Sequence, residues 1–165
     1  MRRSSIFALT LALVVGAAHA LAQEFKAGDI VISTPWARAT PKGAEVGGAY
    51  LTIQNKGATP DRLTGGSADF ATVEIHEMKS ENGVMEMREV TGGLAIPAHG
   101  SVGLAPGGYH LMLTHLAHPL TKGDTVKATL AFERAGPVEV EFKVLGVGAT
   151  AAGGMKGGAM GGMKM

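Results

Sequence analysis

Thr72–Val90 reads TVEIHEMKSENGVMEMREV. Asn82-Gly83 at its centre is a strong hairpin signal, because a two-residue type I′ turn needs φ > 0 at both central positions and these two residue types tolerate it. With the turn placed there, Glu81 pairs with Val84. Counting outward sets Met78 opposite Met87 and His76 opposite Glu89. Side chains alternate along a strand with a period of two, so His76, Met78, Met85 and Met87 share one face, while Val73, Ile75 and Val84 share the other. A slip of one residue would split the first group, so the reading depends on the turn.

The same grammar continues on both sides. Short alternating or β-branched runs separated by Gly, Pro and Asn mark strands at Ile30–Thr34, Ala49–Gln54, Thr72–Met78, Val84–Val90, Ser101–Leu104, Tyr109–Thr114, Thr125–Glu133 and Val138–Leu145. Lys56-Gly57, Gly65-Gly66, Asn82-Gly83, Pro106-Gly107-Gly108 and Lys122-Gly123-Asp124 fall between runs and read as turns. No helical period competes. The fold class expected is all-β, an antiparallel sandwich or Greek-key barrel.

The two ends read differently. Arg2 and Arg3 precede an apolar run from Ile6 to Val15 and then small residues, the pattern of a signal peptide over residues 1–22. Ala18-His19-Ala20 and Ala20-Leu21-Ala22 both suit a signal peptidase, and cleavage after Ala22 is preferred. The run is short of the roughly 20 residues a membrane span requires, and no later run is longer, so the protein is not expected to be an integral membrane protein. Its removal leaves 13 Lys+Arg against 14 Asp+Glu, a net charge of −1. That balance gives nucleic acid no electrostatic footprint. At the other end, residues 149–165 turn to Gly, Ala, Met and Lys and end in Met155, Met160, Met163 and Met165. Such a composition buries too little apolar surface to order itself, so a flexible tail is expected after a β domain spanning 23–148.

Cysteine is absent. That removes disulfides and thiolate ligands together, leaving packing to hold the fold. Tyr109-His110-Leu111-Met112-Leu113 puts Tyr109, Leu111 and Leu113 on one face and His110 and Met112 on the other. Two His-x-Met pairs therefore project from the non-core sides of two strands. Thioether sulfur is soft and uncharged, so a set of imidazoles and thioethers favours Cu(I) over zinc, magnesium or calcium. A blue-copper centre would require the missing cysteine, which makes carriage of Cu(I) the better fit than redox cycling. Neither a cysteine nucleophile, nor a Ser/His/Asp grouping, nor a phosphate-binding Gly-rich loop is in place, so an enzyme is not expected.

Plainer roles compete for individual residues. Methionine fills gaps in cores, which applies most to Met85 and then to Met78. His99, His115 and His118 read as solvated or hydrogen-bonded histidines. Trp36 reads as a packing anchor, and Arg38 as a solvated or hydrogen-bonding side chain. The tail methionines read either as a flexible end or as a second Cu(I) capture site.

The order His76, ten residues, Met87, 22 residues, His110-Leu111-Met112 resembles the signature of the periplasmic PCu(A)C copper chaperones, with the second gap one residue longer than is usual there. The likeness extends through Pro35-Trp36-Ala37-Arg38-Ala39-Thr40-Pro41, Gly47-Gly48-Ala49-Tyr50-Leu51, Val84-Met85-Glu86-Met87-Arg88 and Pro106-Gly107-Gly108-Tyr109-His110-Leu111-Met112. It implies a cupredoxin-like Greek-key fold holding one Cu(I) at His76, Met87, His110 and Met112, with Met78 and Met85 on the same face but outside the signature. It also implies delivery to a copper-accepting subunit of cytochrome c oxidase, with a Sco-type thiol protein as co-worker, by a periplasmic monomer. Two other readings stay open: a protein that sequesters copper for resistance, and a β-sandwich interaction module without metal.

Overall fold

The computed structural model describes residues 23–152. Its elements are all strands: β1 Glu24–Ala27, β2 Ile30–Arg38, β3 Val46–Asn55, β4 Asp61–Ala68, β5 Ala71–Glu81, β6 Val84–Glu89, β7 Leu94–Ile96, β8 Ser101–Leu104, β9 Tyr109–Thr114, β10 Thr125–Phe132 and β11 Gly136–Leu145. Pairing runs β2-β11-β10-β4-β5-β9-β3, and β3 returns to β2 to close a barrel of seven strands. Closure leaves the ring without an open edge. β1, β6, β7 and β8 attach to β2, β5, β4 and β3 respectively. β5 and β9 lie between β3 and β4, so the link from β3 to β4 makes the crossover of a Greek key. Residues 1–22, read as a signal peptide, and Met155, Met160, Met163 and Met165 lie outside the described residues. Among the described residues no helix is long and apolar enough to cross a membrane.

The core follows from alternation. In β11, Val138, Val140, Phe142 and Val144 are buried while Glu139 and Lys143 between them are exposed. Ile53 from β3, Leu63 from β4, Ile75 from β5, Leu111 from β9 and Leu130 from β10 complete the interior, each almost fully buried. Burying an aliphatic side chain of this size contributes about 1.5–3 kcal/mol, so the inward set fixes which face of every strand points out.

Two backbone features aim the outward face. β2 carries a bulge between Ser33 and Trp36, with Thr34 at φ 52°. A bulge shifts strand parity; beyond it Ala37 enters the core while Trp36 stands on the outer side, paired with Tyr50 of β3. The second feature is the hairpin turn, where Asn82 and Gly83 take φ 52° and 81° as a type I′ turn demands. The observed register is the expected one: His76↔Glu89, Met78↔Met87 and Glu81↔Val84.

Three strands went unread in the sequence, β1, β4 and β7, and β2 runs four residues past its expected end at Thr34. Gly65-Gly66, read as a turn, lies inside β4. The reason is proximity: a Cβ on Gly66 would stand 2.7 Å from the Thr129 carbonyl oxygen of β10. Gly66 lets a neighbouring backbone approach rather than reversing the chain, and Gly65 takes a φ of 148° within the strand.

Candidate metal centre

β5 and β9 set the two histidines against each other. The register pairs His76 directly with His110 and Glu74 with Met112, and the imidazole centroids are 5.9 Å apart at 43°. On the far side of β5, Met78 faces Met87 of β6 and Met85 faces Ser80, nearer the turn. Met87 is therefore the diagonal neighbour of His76, a separation long side chains can bridge. Met87 and Met85 are half exposed, whereas Met78 and Met112 are partly covered. The expected parity thus brings His76, His110, Met112, Met78 and Met87 onto one outer patch. Met85 lies a further step out along it.

The imidazoles present different nitrogens. His110 Nδ1 donates to the Gly108 carbonyl at 3.1 Å, which leaves Nε2 as its free acceptor. His76 Nε2 donates to Glu74 Oε2 at 3.1 Å. Its Nδ1 is buried and has no hydrogen-bond partner. A buried polar atom without a partner is unfavourable unless something else meets it, and an imidazole nitrogen on a face shared with a second imidazole and with thioethers is one that a soft cation would satisfy. Among the described residues no group of three or more His, Cys, Asp or Glu is arranged to hold a metal ion; the other soft donors on this face are methionine sulfurs.

An aromatic wall from β2 and β3 stands beside His110. Trp36 and Tyr50 stack with centroids 4.4 Å apart, and Tyr50 lies 6.4 Å from His110. Gly48 makes room for it, since a Cβ there would come within 2.7 Å of the Tyr50 hydroxyl. Arg38 sits 5.5 Å from the Tyr50 ring centroid and its Nε donates to Ala149 O at 2.8 Å. Trp36 and Arg38 thus take the packing and hydrogen-bonding roles read for them, while Tyr50 was not singled out in the sequence. Its signal was parity: in β3 it alternates with Ala49 and Leu51, which enter the core.

Burial has an electrostatic effect on both Tyr50 and His110. Burial pushes the Tyr50 phenol up, opposed by the Arg38 charge. Burial likewise lowers the His110 pKa below 6.5, against the Gly108 hydrogen bond and together with the nearby His76. His110 thus faces outward from the barrel and is still only 6% exposed. A neutral imidazole is the form that binds a metal.

Glu74 also went unremarked in the sequence. It shares a face with His76 two positions on, and its second oxygen accepts from Thr114 Oγ1 at 3.4 Å. His99, His115 and His118 are exposed and stand apart from the pair. His118 Nδ1 is 3.3 Å from the Pro119 carbonyl oxygen.

A family model described as "Putative lipoprotein LpqE-like" matches residues 30–144. "Putative lipoprotein Lxx21020" of Leifsonia xyli subsp. xyli is 31% identical over 150 residues, covering 87% of this chain and 89% of that protein. Among solved structures, the copper-bound PCuAC domain from PmoF2 is 32% identical with a TM-score of 0.63, covering 75% of this chain and 98% of that one. The solution structure of CuI-DR1885 from Deinococcus radiodurans is 31% identical with a TM-score of 0.55, covering 67% of this chain and 74% of that one. The closed barrel is therefore the cupredoxin-like fold that the sequence resemblance implied. By its sequence over residues 30–144 and by its fold, the chain belongs to the LpqE-like family, which includes the PCuAC domains.

Proposed function

We propose that this chain is a copper chaperone that binds one Cu(I) through His76, Met87, His110 and Met112 and passes it to an acceptor. The observation that carries the reading is the buried, unpartnered Nδ1 of His76, directly across the sheet from His110. Support comes also from the likeness to CuI-DR1885 and to the copper-bound PCuAC domain from PmoF2, and from the soft character of the donors. Met78 and Met85 are auxiliary: Met78 can replace Met87 across the same strand pair, and Met85 extends the sulfur-bearing surface toward the turn.

The site suits hand-over. His110 and the aromatic wall are fixed by packing, whereas Met87 is about half exposed on β6, which among the described residues pairs only with β5. Neutral thioethers hold the ion without an anionic grip and need no deprotonation, so an incoming ligand can displace Met87 first while the imidazoles keep the ion in place.

The wider assignment is a periplasmic monomer: a signal peptide over residues 1–22, a copper domain over 23–148, and a tail over 149–165 whose Met155, Met160, Met163 and Met165 take up additional Cu(I). The acceptor would be a copper centre of cytochrome c oxidase, with a Sco-type thiol protein as co-worker. Deleting the gene tests delivery against sequestration. Loss of oxidase activity that added copper restores supports delivery; unchanged oxidase with heightened copper sensitivity supports sequestration.

A further inference from the structure

We infer that Glu74 is the positioning residue of the site: it holds His76 as the Nε2–H tautomer and so directs the Nδ1 lone pair at the metal position. This inference rests on the copper reading proposed above and adds a residue to it. The geometry is specific. Glu74 Oε2 lies 3.1 Å from His76 Nε2, and Oε1 accepts from Thr114 Oγ1 at 3.4 Å, so the carboxylate is held between the ring and β9. An ionised carboxylate only accepts hydrogen bonds, so the shared proton resides on His76 Nε2, and Nδ1 is left with its lone pair.

The backbone makes the contact local. Glu74 and His76 are two residues apart on one face of β5, and Glu74 also pairs across the sheet with Met112. His110 reaches the opposite choice of nitrogen by its own device, the Gly108 carbonyl at Nδ1. The centre is therefore asymmetric: Nδ1 from His76 and Nε2 from His110. A carboxylate behind a metal-ligating imidazole fixes ring orientation and raises ligand basicity, and its loss typically lowers affinity roughly 10- to 100-fold. Glu74 itself offers hard oxygen, the poorer donor for Cu(I). Its contribution is made through His76.

The test separates tautomer from binding. Nitrogen-15 NMR of the metal-free protein reads the protonated nitrogen of each histidine. The wild type should show His76 protonated at Nε2 and His110 at Nδ1, and His76 protonated at Nδ1 would overturn the inference before any variant is made. Glu74→Ala should give a mixed His76 tautomer, leave His110 unchanged, and weaken Cu(I) roughly 10- to 100-fold. Glu74→Gln keeps a carbonyl acceptor and should restore the tautomer and most of the affinity. Glu74→Ala with unaltered His76 tautomer and unaltered Cu(I) affinity would also overturn it. A wild type that binds no Cu(I) but keeps both tautomers would reject the copper reading while leaving the Glu74 contact standing.

Discussion

His76 and His110 face each other across β5 and β9 with ring centroids 5.9 Å apart, yet each ties back a different ring nitrogen, to Glu74 and to Gly108. The pair has two free nitrogens and no mutual hydrogen bond. That arrangement, and the packing that holds it, have measurable consequences.

Acid should weaken the site in two ways. Burial lowers the His110 pKa from 6.5, so in the interval just below 6.5 the unfolded chain binds a proton at this position and the folded chain does not. The contribution of His110 to stability is therefore zero above that interval and becomes unfavourable as pH falls through it. Protons also compete with the ion for the imidazoles, so Cu(I) binding is expected to decline as pH drops below about 6, with the His110 share of that decline displaced to lower pH. Thermal unfolding and Cu(I) competition titrations between about pH 7.5 and about pH 5 measure both effects. A flat affinity across that range would contradict two imidazole ligands.

Met112 and Met87 should separate binding from stability. Leucine nearly conserves methionine volume, so Met112→Leu should cost less than about 1.5 kcal/mol of stability. Met87 is half exposed, and Met87→Leu should change stability by no more than about 0.5 kcal/mol. Both should weaken Cu(I) by about tenfold or more, because an alkyl group offers no donor. Urea denaturation paired with Cu(I) titration is the check. If affinity survives both substitutions, the thioether assignment is wrong.

Gly48→Ala should damage the wall rather than the donors. Its Cβ would lie 2.7 Å from the Tyr50 hydroxyl and 3.2 Å from Cζ, so the ring has to move away from Trp36 or His110. Overpacking of this kind costs typically about 1–3 kcal/mol. Trp36 is the only tryptophan, and its emission should shift as the stack with Tyr50 opens. Unchanged stability and unchanged emission would mean that Tyr50 adapts without moving the stack.

Asp61 supplies a contrast. Its carboxylate, 8% exposed, accepts from the backbone nitrogens of Arg62, Arg134 and Ala135 at 2.7, 2.9 and 3.0 Å. It lines a cleft with Asn55, which lies at the other end of β3 from Gly48. Asp61→Ala strands several buried donors and should cost roughly 3 kcal/mol or more. Cu(I) affinity of the folded fraction should be unaltered. A large affinity loss would place the metal site elsewhere than β5 and β9.

The tail proposal is tested by truncation. A chain ending at Gly148 removes Met155, Met160, Met163 and Met165 but also Ala149, whose carbonyl accepts from Arg38; ending at Ala152 keeps that bond. Copper uptake per chain should fall in both. Equal uptake and equal transfer rate in the full chain and the longer truncation would leave the tail without a metal role.

The hairpin was legible because Asn82-Gly83 admits one turn geometry, and that turn sets the parity of His76, Met78, Met85 and Met87. His110 and Met112 were legible because Leu111 and Leu113 claim the core side of β9. β4 was missed because Gly65-Gly66 looks the same in sequence whether the chain turns or a neighbouring backbone comes close. Glu74 was missed for a related reason. A glutamate alternating with Val73 and Ile75 matches a solvated strand face, and only the fold shows that His76 and Thr114 occupy its two oxygens. The stack of Tyr50 with Trp36 was hidden by the β2 bulge, which brings Trp36 to the outer side.

Titration of the reduced chain, cleaved after Ala22, with Cu(I) tests the central claim most directly when repeated on His76→Ala, His110→Ala and the double variant His110→Ala with Met112→Ala. The prediction is a high-affinity ion on the β domain that each single histidine variant weakens sharply and the double variant loses. Retention of wild-type Cu(I) affinity by the double variant would contradict the account.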